Sequence, residues 1–532
     1  MKHFDTFGVM IDCSRNAVMS VSALKKFISL LAKMGYNEVQ LYTEDTYEVD
    51  GEPFFGIFRG RYSQSELIEL DGYCRSIGVE LVPCIQTLAH LNAAFRWGKY
   101  AAINDIDDIL LVGDERTYAL IENMIATCRK CFSTKKIHIG MDEAHNLGRG
   151  RYRDVNGEVD GSEILLSHLT RVTAITEKYG FDPMMWSDMF YRLASGGAYY
   201  TSDSDFGENV RSKIPPTLSL VYWDYYHTDE QTYTSMLNAH KALTEHVIFA
   251  GGAWKWAGFT PHNDFSLRCT RAALSAAKKA GIRDIFITMW GDNGAESSSY
   301  AVLPTLVTAA CIADGITDED EIKSRFYEWV GVSFDDFMLL DLPDTITKSD
   351  GVLTPSKYEL YNDPFLGLMD SAVCEGDGAK YADFTLRLSD GAERAGEYRY
   401  LFDAAAALTD ALSVKAELGP RTRAAYESFK SGNRTALDGI IDDYATAIER
   451  VETFVTTFRR QWFLENKPHG FDVQDLRLGG LLMRLSSCRE RLILLKNGET
   501  DMIPELEEVL PPVYSGTVSC NHWRSTVTAN VL

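Results

Sequence analysis

The sequence predicts an α/β protein, with a (β/α)8 TIM barrel over residues 1–315 and a mainly α-helical C-terminal domain over residues 316–532. Two observations predict the barrel. Eight short apolar runs alternate with amphipathic segments, and polar or aromatic residues follow the C-terminal end of each run. A third observation predicts the second domain, because the later part of the chain carries long helical patterns. A chain of 532 residues is also too long for a single ordinary core.

The eight apolar runs have the length and composition of buried parallel strands. In chain order they are FGVMID (7–12), EVQLY (38–42), VELVPCI (79–85), KIHIG (136–140), PMMW (183–186), LSLVYW (218–223), HVIFAG (246–251) and DIFITMW (284–290). Helical patterns between them often begin at Ser or Asp and end at Gly, as helix caps predict. Eight such units favour a closed barrel over a doubly wound sheet, which usually has fewer strands and a glycine-rich first turn.

The C-terminal part is helix-rich, with a loop-like section over about residues 342–380. Segments such as ERAGEYRYLFDAAAALTDALSVKAEL and QDLRLGGLLMRLSSCRERLILLK show helical periodicity. The basic and aromatic stretch FRRQWFLENKPHGF (458–471) fits domain packing better than a mobile lid.

Composition excludes several partners. The formal net charge of −23 disfavours nucleic acid and anionic lipid, which would both be repelled. No apolar run reaches the roughly 18 residues of a membrane span. The start, MKHFDTFGVM, lacks the features of a secretion signal, and the ten cysteines show no disulfide framework. We therefore expect a cytoplasmic protein with reduced thiols, and a structural role for the CxxC at Cys128 and Cys131.

Chemically active side chains cluster where the strands end. In a barrel these ends converge on one mouth, where active sites are built. In strand order the residues are Arg15, then Glu44 and Asp45, then His90, then Asp142 and Glu143, then Trp186, Trp223, Trp254 and Trp290.

The pair Asp142–Glu143 in HIGMDEAH has three readings. Acidic residues favour helix N-termini, so the pair could open a helix. A metal site has suitable ligand types but lacks HExxH spacing, so we expect no metal and no cofactor. The third reading is acid catalysis on a sugar. The four tryptophans favour it, because exposed aromatic rings at a barrel mouth suit the apolar face of a ligand. Strand alternation would turn His138, Gly140 and Asp142 toward the barrel axis.

These residues resemble glycoside hydrolase family 20, the β-N-acetylhexosaminidases, over about residues 5–315. HIGMDE matches the family's His-x-Gly-x-Asp-Glu signature. DCSR (12–15), VELVPCIQTLAH (79–90) and MWGD (289–292) resemble three further family segments, with Asp292 in place of a Glu. The resemblance is to a barrel-first bacterial type with a helical C-terminal domain. The chain departs from many relatives in lacking an α/β domain before the barrel and a Tyr after strand 7.

The resemblance implies an exo-acting, retaining β-N-acetylhexosaminidase that uses substrate-assisted catalysis. Such enzymes are an exception to the usual pair of separated carboxylates, because the substrate's 2-acetamido group is the nucleophile. Glu143 would act as the general acid and then as the base. Asp142 would accept the acetamido N–H and stabilise the positive charge that develops.

The remaining family roles concern sugar binding. Arg15 would bind hydroxyls at the non-reducing end, Asp292 the 4- and 6-hydroxyls, and Glu44 would add an acceptor. His90 would support the acidic pair. A purely salt-bridging Arg15 and a core His90 stay open as alternatives.

Aromatic residues would enclose the acetamido group. Trp186, Trp223 and Trp254 would form its wall, and Trp290 would stack under the ring. The missing Tyr would come from VYWDYYH (221–227), with Tyr225 preferred and Tyr222 as the alternative. Trp256 and Glu296 are further candidates for lining the mouth.

The expected partner is a small oligosaccharide with a terminal N-acetylhexosamine, with no nucleic acid and no membrane. The helical domain is a candidate face for a homodimer. Competing hypotheses are a chitinase-like glycosidase, a non-catalytic sugar-binding barrel and a metal-dependent amidohydrolase. The first would need an Asp-x-x-Asp-x-Asp-x-Glu run, which strand 4 lacks. The preference between GlcNAc and GalNAc stays open.

Overall fold

The computed structural model describes residues 3–204, 206, 210–347, 351–510 and 522–532. Eight parallel strands form a closed barrel, in which each strand pairs with its neighbours in chain order and the last pairs with the first. The strands are β1 Thr6–Asp12, β2 Glu38–Tyr42, β3 Glu80–Cys84, β4 Lys136–His138, β5 Asp182–Trp186, β6 Ser219–Trp223, β7 Val247–Gly252 and β8 Asp284–Met289. The predicted barrel is confirmed, and no strand end differs from the predicted run by more than two residues.

One main helix follows each barrel strand. These helices are α1 Val21–Lys33, α2 Gln64–Ser76, α3 Glu115–Cys131, α4 Gly161–Lys178, α5 Asp188–Ser195, α6 Glu230–Leu243, α7 Asn263–Ala280 and α8 Leu303–Ala313. Shorter elements lie in the loops: helices Asn92–Phe95 and Arg151–Asn156, 3-10 turns Gly98–Ile103 and Tyr300–Val302, and an antiparallel pair Asn104–Ile106 with Ile109–Leu110.

Side-chain caps fix where these helices begin. The Ser20 hydroxyl accepts the Ala23 backbone N–H at 3.3 Å, before α1. Before α2, Ser63 and Glu66 form a reciprocal capping box, because each side chain accepts the other's backbone N–H. The Ser residues that predicted helix starts are therefore used as caps.

The chain divides into two compact units. The first comprises Met1–Ala253, Ser266–Trp290 and Thr305–Ile322, and the second comprises Trp254–Phe265, Gly291–Pro304 and Lys323–Leu532. The long C-terminal segment of the second unit thus begins at residue 323, whereas the sequence predicted a boundary at residue 316. The second unit also includes two segments that follow β7 and β8, which the sequence pattern did not predict.

The second unit is mainly helical, as predicted. The first helix of this region, Glu319–Val330, starts in the first unit and continues into the second. The further helices and turns are Phe334–Met338, Leu339–Asp344, Pro355–Tyr361, Asp370–Ala372, Asp377–Arg394, Gly396–Tyr398, Arg399–Lys415, Leu418–Lys430, Ala436–Glu465, Phe471–Lys496, Pro504–Glu507 and Trp523–Thr526. Phe458, Trp462 and Phe471 are buried, and the Phe471 ring lies 5.8 Å from Phe458 and 5.6 Å from Trp462. The predicted packing role of residues 458–471 is therefore confirmed.

All nine cysteines among the described residues are free thiols. Cys128 and Cys131 lie buried on α3, where burial raises the pKa of both thiols. The tenth, Cys520, lies outside the described residues. Across the described ranges, no helix combines the length and the apolar composition that crossing a membrane would require.

Candidate active site

The loop after β4 is shaped by a glycine and an amide side chain. Gly140 has φ +71°, and a Cβ there would lie 2.1 Å from the side-chain oxygen of Gln86. The same oxygen accepts the backbone N–H of Met141 at 3.2 Å. Gln86 thus occupies the space that the glycine leaves, and any larger residue at 140 would collide with it.

Asp142 is buried and held on both oxygens. The Gln86 amide donates to Oδ1 at 2.7 Å, and Nε2 of His90 lies 3.2 Å from Oδ2. Burial alone would raise the pKa of Asp142, but His90 and the Gln86 hydrogen bond outweigh it and hold the pKa below its usual value. Asp142 is therefore a fixed anion at neutral pH.

His90 is the cation that matches this anion. Burial would lower the pKa of its imidazole, but Asp142, followed by Glu44, raises that pKa to about 10. Its backbone N–H donates to Asp108 at 3.1 Å, which fixes the backbone of His90 in the loop after β3. The core-histidine alternative does not describe this arrangement, because the side chain faces carboxylates.

Glu143 differs from its neighbour in exposure and in support. Its side chain is 40% exposed, and the nearest cationic nitrogens, on His90 and Arg192, both lie 3.8 Å away. Its backbone N–H donates to Oδ2 of Asp188 at 3.0 Å. The main chain is thus fixed while the carboxyl faces the solvent, as a group that exchanges protons with a ligand requires.

Arg15 and Glu44 form an ion pair at the ends of β1 and β2. Nη2 of Arg15 lies 3.1 Å from Glu44, and the Tyr42 hydroxyl donates to the same carboxylate oxygen at 3.2 Å. Burial raises the pKa of Glu44, and Arg15 opposes the shift. The Arg15 side chain stays 27% exposed, so its guanidinium can bind a ligand as well as Glu44.

A continuous aromatic wall lies at the ends of β5, β6 and β8. Trp290 lies 5.9 Å from Trp186 and donates its indole N–H to the Tyr225 hydroxyl at 3.0 Å. Tyr225 in turn stacks on Trp223, with ring centroids 5.4 Å apart. The structure thus brings four of the predicted aromatic residues together.

Tyr225 suits a binding role better than Tyr222. Tyr222 is fully buried, packs on His240 and donates its hydroxyl to Asp224 at 2.7 Å. Strand alternation explains the difference, because Tyr222 and Trp223 are consecutive residues of β6 and face opposite sides.

The geometry can be compared with known families. The model described as "Glycosyl hydrolase family 20, catalytic domain" matches residues 4–234, and "Glycoside Hydrolase 20C C-terminal domain" matches residues 335–521. Together the two ranges cover well over half of the chain.

The chain belongs to glycoside hydrolase family 20.

The predicted family is therefore confirmed, and this membership makes the protein a glycoside hydrolase. Human "Hexosaminidase D" is 23% identical over 341 residues, which are 60% of this chain and 68% of that protein. The bovine protein of the same name is 23% identical over 255 residues, 46% of this chain and 68% of its own length.

Solved structures give a more distant likeness. The exo-β-N-acetylglucosaminidase of Vibrio harveyi, in complex with N-acetylglucosamine, has a TM-score of 0.47 at 16% identity. That match covers 64% of this chain and only 58% of the Vibrio chain. The β-N-acetylhexosaminidase of Bacteroides fragilis has a TM-score of 0.47 at 19% identity, over 61% of this chain and 69% of that one.

Two predicted site residues of this family 20 protein lie in the second unit. Trp254 stacks on Trp256, with centroids 4.1 Å apart, and Asp292 lies in the segment 291–304 of that unit. Their substrate roles stay predictions. Glu296, a candidate lining residue, is instead buried between two cations.

Sequence reasoning missed Gln86, which holds Asp142, and Asp188. Asp188 is the more informative omission. It is fully buried at the start of α5, and burial followed by the charge of Asp142 raises its pKa to about 7. Arg192 donates to its Oδ2 at 3.2 Å, beside the Glu143 N–H. The signal was available, because Asp188 follows the end of β5 as Glu44 follows β2.

Left-handed backbone marks the same loops. Glu44, His90, Met141 and Glu143 have φ values of 45°, 59°, 71° and 51°. Non-glycine residues rarely adopt this conformation, and such strain clusters at functional sites. Four strained residues at three strand ends identify the mouth independently of residue chemistry.

Proposed function

We propose that this protein is an exo-acting, retaining β-N-acetylhexosaminidase that releases terminal β-linked GlcNAc or GalNAc from oligosaccharides or glycoconjugates. One observation carries the proposal. Two adjacent carboxylates have opposite surroundings, because Asp142 is buried and held as an anion while Glu143 is 40% exposed. This division suits a reaction in which one carboxylate orients the substrate and the other transfers the proton.

The proposed first step uses the substrate as its own nucleophile. The acetamido carbonyl oxygen attacks the anomeric carbon, while Glu143 gives its proton to the leaving glycosidic oxygen as the C–O bond breaks. The positively charged oxazolinium ring that forms would be stabilised by Asp142, which accepts the acetamido N–H.

In the second step a water molecule replaces the acetamido oxygen. Glu143, now ionised, takes a proton from the water as its oxygen bonds to the anomeric carbon. The ring opens to the acetamido group, and Glu143 regains the proton it began with. Two inversions at the same carbon give overall retention of configuration.

The surrounding groups would hold the sugar. Arg15 offers a fork of donors to hydroxyls, and Glu44 beside it offers acceptors. Trp186, Trp223 and Trp290 would enclose the acetamido methyl and the ring face. The Tyr225 hydroxyl, held by the Trp290 N–H, would donate to the acetamido oxygen.

The first test removes the acid. Glu143→Gln is expected to lower kcat/KM on p-nitrophenyl β-GlcNAc and β-GalNAc by about 10²–10⁴-fold, the usual contribution of general acid–base catalysis. Glu158→Gln is the matched control, because that side chain is 85% exposed on the surface. Undiminished hydrolysis by Glu143→Gln would remove Glu143 as the acid.

A second test addresses the nucleophile. The p-nitrophenyl β-glucoside lacks the acetamido group and is expected to be almost inert with the wild-type protein. Comparable rates on the glucoside and the N-acetylglucosaminide would contradict substrate assistance, while leaving a glycosidase of another kind.

We also propose that the protein works in a reducing compartment such as the cytoplasm. The support is compositional, since eight of the nine described cysteines are buried free thiols. Free oligosaccharides with a terminal N-acetylhexosamine would be the substrates there. The expected homodimer stays a prediction.

A further inference from the structure

Three aromatic residues, two of them exposed and Trp97 partly buried, form a cluster on the loops that follow β2 and β3. The Trp97 ring lies 5.6 Å from that of Phe54 and 6.4 Å from that of Phe58. Phe54 is 42% exposed and Phe58 is 75% exposed. Scattered exposed aromatic residues are ordinary, but two exposed rings that both contact a third ring form a surface that can bind a ligand. We name these three residues the aromatic platform.

The backbone presents Phe58 to solvent at a conformational cost. Phe58 has φ +66°, a region that bulky residues almost never adopt. The loop is held in place by its neighbours. A Cβ at Gly56 would lie 1.8 Å from the Asp45 carbonyl oxygen, and Arg61 donates to the carbonyls of Pro53 and Phe55. The exposed ring is therefore a fixed feature of the loop.

A second set of contacts joins the two loops that carry the platform. The Tyr100 hydroxyl, just after Trp97 in the β3 loop, donates to Glu52 in the β2 loop at 3.0 Å. Lys99 lies 2.5 Å from the same carboxylate. Phe54 and Trp97 thus belong to one framework although they come from different loops.

Arg59 links the loop of the platform to the proposed sugar-binding residues of the first unit. Arg59, next to Phe58, donates to Asp45 at 2.8 Å and to the carbonyl of Ser14. Asp45 follows Glu44, and Ser14 precedes Arg15, so one guanidinium contacts the neighbours of both members of the Arg15–Glu44 pair. His90 lies on the same loop as Trp97.

We propose that the aromatic platform binds the aglycone of the substrate, namely the pyranose ring linked to the N-acetylhexosamine that is released. The inference rests on the proposed function and names the substrate class, an oligosaccharide rather than a small glycoside. A pyranose has an apolar C–H face that packs on aromatic rings. The exposed rings of Phe54 and Phe58, backed by Trp97 and linked through Arg59 to the neighbours of Arg15 and Glu44, present such a surface, and stacking tolerates different sugars.

The test compares two substrates of one terminal sugar. N,N′,N″-triacetylchitotriose carries an aglycone long enough to reach the platform, whereas methyl N-acetyl-β-glucosaminide carries only a methyl group. Phe58→Ala and Trp97→Ala are each expected to lower the ratio of kcat/KM on the trisaccharide to that on the methyl glycoside by roughly three- to tenfold. The change should appear mainly as a higher KM for the trisaccharide.

Two further variants separate stacking from general damage. Phe58→Tyr keeps the ring and is expected to keep the wild-type ratio. Tyr327→Ala removes a ring that is 64% exposed in the second unit and should change neither rate. Thermal unfolding of each variant verifies folding, and because Phe58 is mostly exposed, its truncation removes little packing.

Three outcomes would overturn the proposal. The ratio of kcat/KM values could be unchanged in both Phe58→Ala and Trp97→Ala. The ratio could fall as much in Tyr327→Ala as in those two variants, or as much in Phe58→Tyr as in Phe58→Ala. If the wild type hydrolyses both glycosides and the alanine variants keep its ratio, the role of the platform is overturned and the proposed function stands. Hydrolysis of neither glycoside by the wild type would overturn the proposed function, and the platform with it.

Discussion

Two buried carboxylate clusters, one in each unit, are neutralised to different degrees. In the second unit, Glu296 lies 2.7 Å from Lys357 and 2.8 Å from Arg477, and all three are largely buried. In the first unit, the ion pairs among the described residues give Asp142 one cation, His90, and Asp188 one cation, Arg192, which donates to it beside the Glu143 N–H. Glu296 thus faces more positive charge than Asp142 or Asp188 does.

The difference separates structural from reactive acids. Burial, followed by the charge of Asp142, raises the pKa of Asp188 to about 7, so this carboxyl can exchange a proton near neutral pH. A second oxygen of Asp188 has no hydrogen-bond partner among the described residues. The balance of charge around a buried acid therefore marks a functional site more clearly than the number of acids does.

The largest effect is expected from breaking the cluster around Glu296. Lys357→Met leaves a buried carboxylate short of a cation and should cost about 3–5 kcal/mol in the free energy of unfolding, measured by urea denaturation. Lys430→Met is the control, since that lysine pairs with Glu507 on the surface and should cost less than about 1 kcal/mol. Similar small losses in both variants would show that Glu296 is not held by its cations.

A smaller effect is expected from removing the acid of Asp188. Because the pKa of Asp188 is raised, the folded protein keeps a proton that the unfolded chain releases between about pH 4 and pH 7. Stability from this group is therefore lost as pH rises through that window. Asp188→Asn should gain up to about 4 kcal/mol of stability relative to the wild type between pH 4 and pH 7, because each pKa unit of the shift corresponds to about 1.4 kcal/mol.

The matched control is Asp182→Asn, at an exposed position at the start of β5. A stability difference between wild type and Asp188→Asn that does not vary with pH would place the pKa of Asp188 near its ordinary value. The pH–rate profile of Asp188→Asn should also lack the inflection near pH 7 that is expected in the wild-type profile.

The smallest effect, a shift in the pH dependence of kcat/KM, is expected from replacing His90, the cation beside Asp142. His90 lowers the pKa of Asp142, so His90→Gln should raise that pKa and move the acid limb of kcat/KM upward by about one pH unit. In the wild type the His90 contribution to stability is fully present below about pH 6.5 and is lost as pH rises through about 10. An unmoved acid limb would mean that His90 does not hold Asp142 ionised.

Sequence reasoning predicted the features that depend on periodicity. Strand and helix positions follow from apolar spacing and caps, and Asp142 and Glu143 follow from their place after β4. Asp188 was missed because Trp186, two positions earlier, was taken as the functional residue at the end of β5. The choice between Tyr225 and Tyr222 was open in the sequence, although strand alternation already turns Tyr222 to the opposite side of β6 from Trp223.

Other features depend on contacts between distant residues. The left-handed φ of Glu44, His90 and Glu143 cannot be predicted from their residue types, because glycine is the residue that usually indicates this conformation. Membership of Trp254 and Asp292 in the second unit depends on packing over long sequence separations, which apolar spacing does not encode.

The second unit is discontinuous in sequence, and this limits how the gene can be divided. Lys357 donates to the carbonyls of Ala257 and Asn293, and Arg477 donates to Asn293 as well. Thr260 donates to Asp344. A chain cut at residue 315 would keep the segments 254–265 and 291–304 but lose the side chains that anchor them. The helical region is thus not a detachable module, and exchange of C-terminal domains between relatives would have to carry these two barrel segments along.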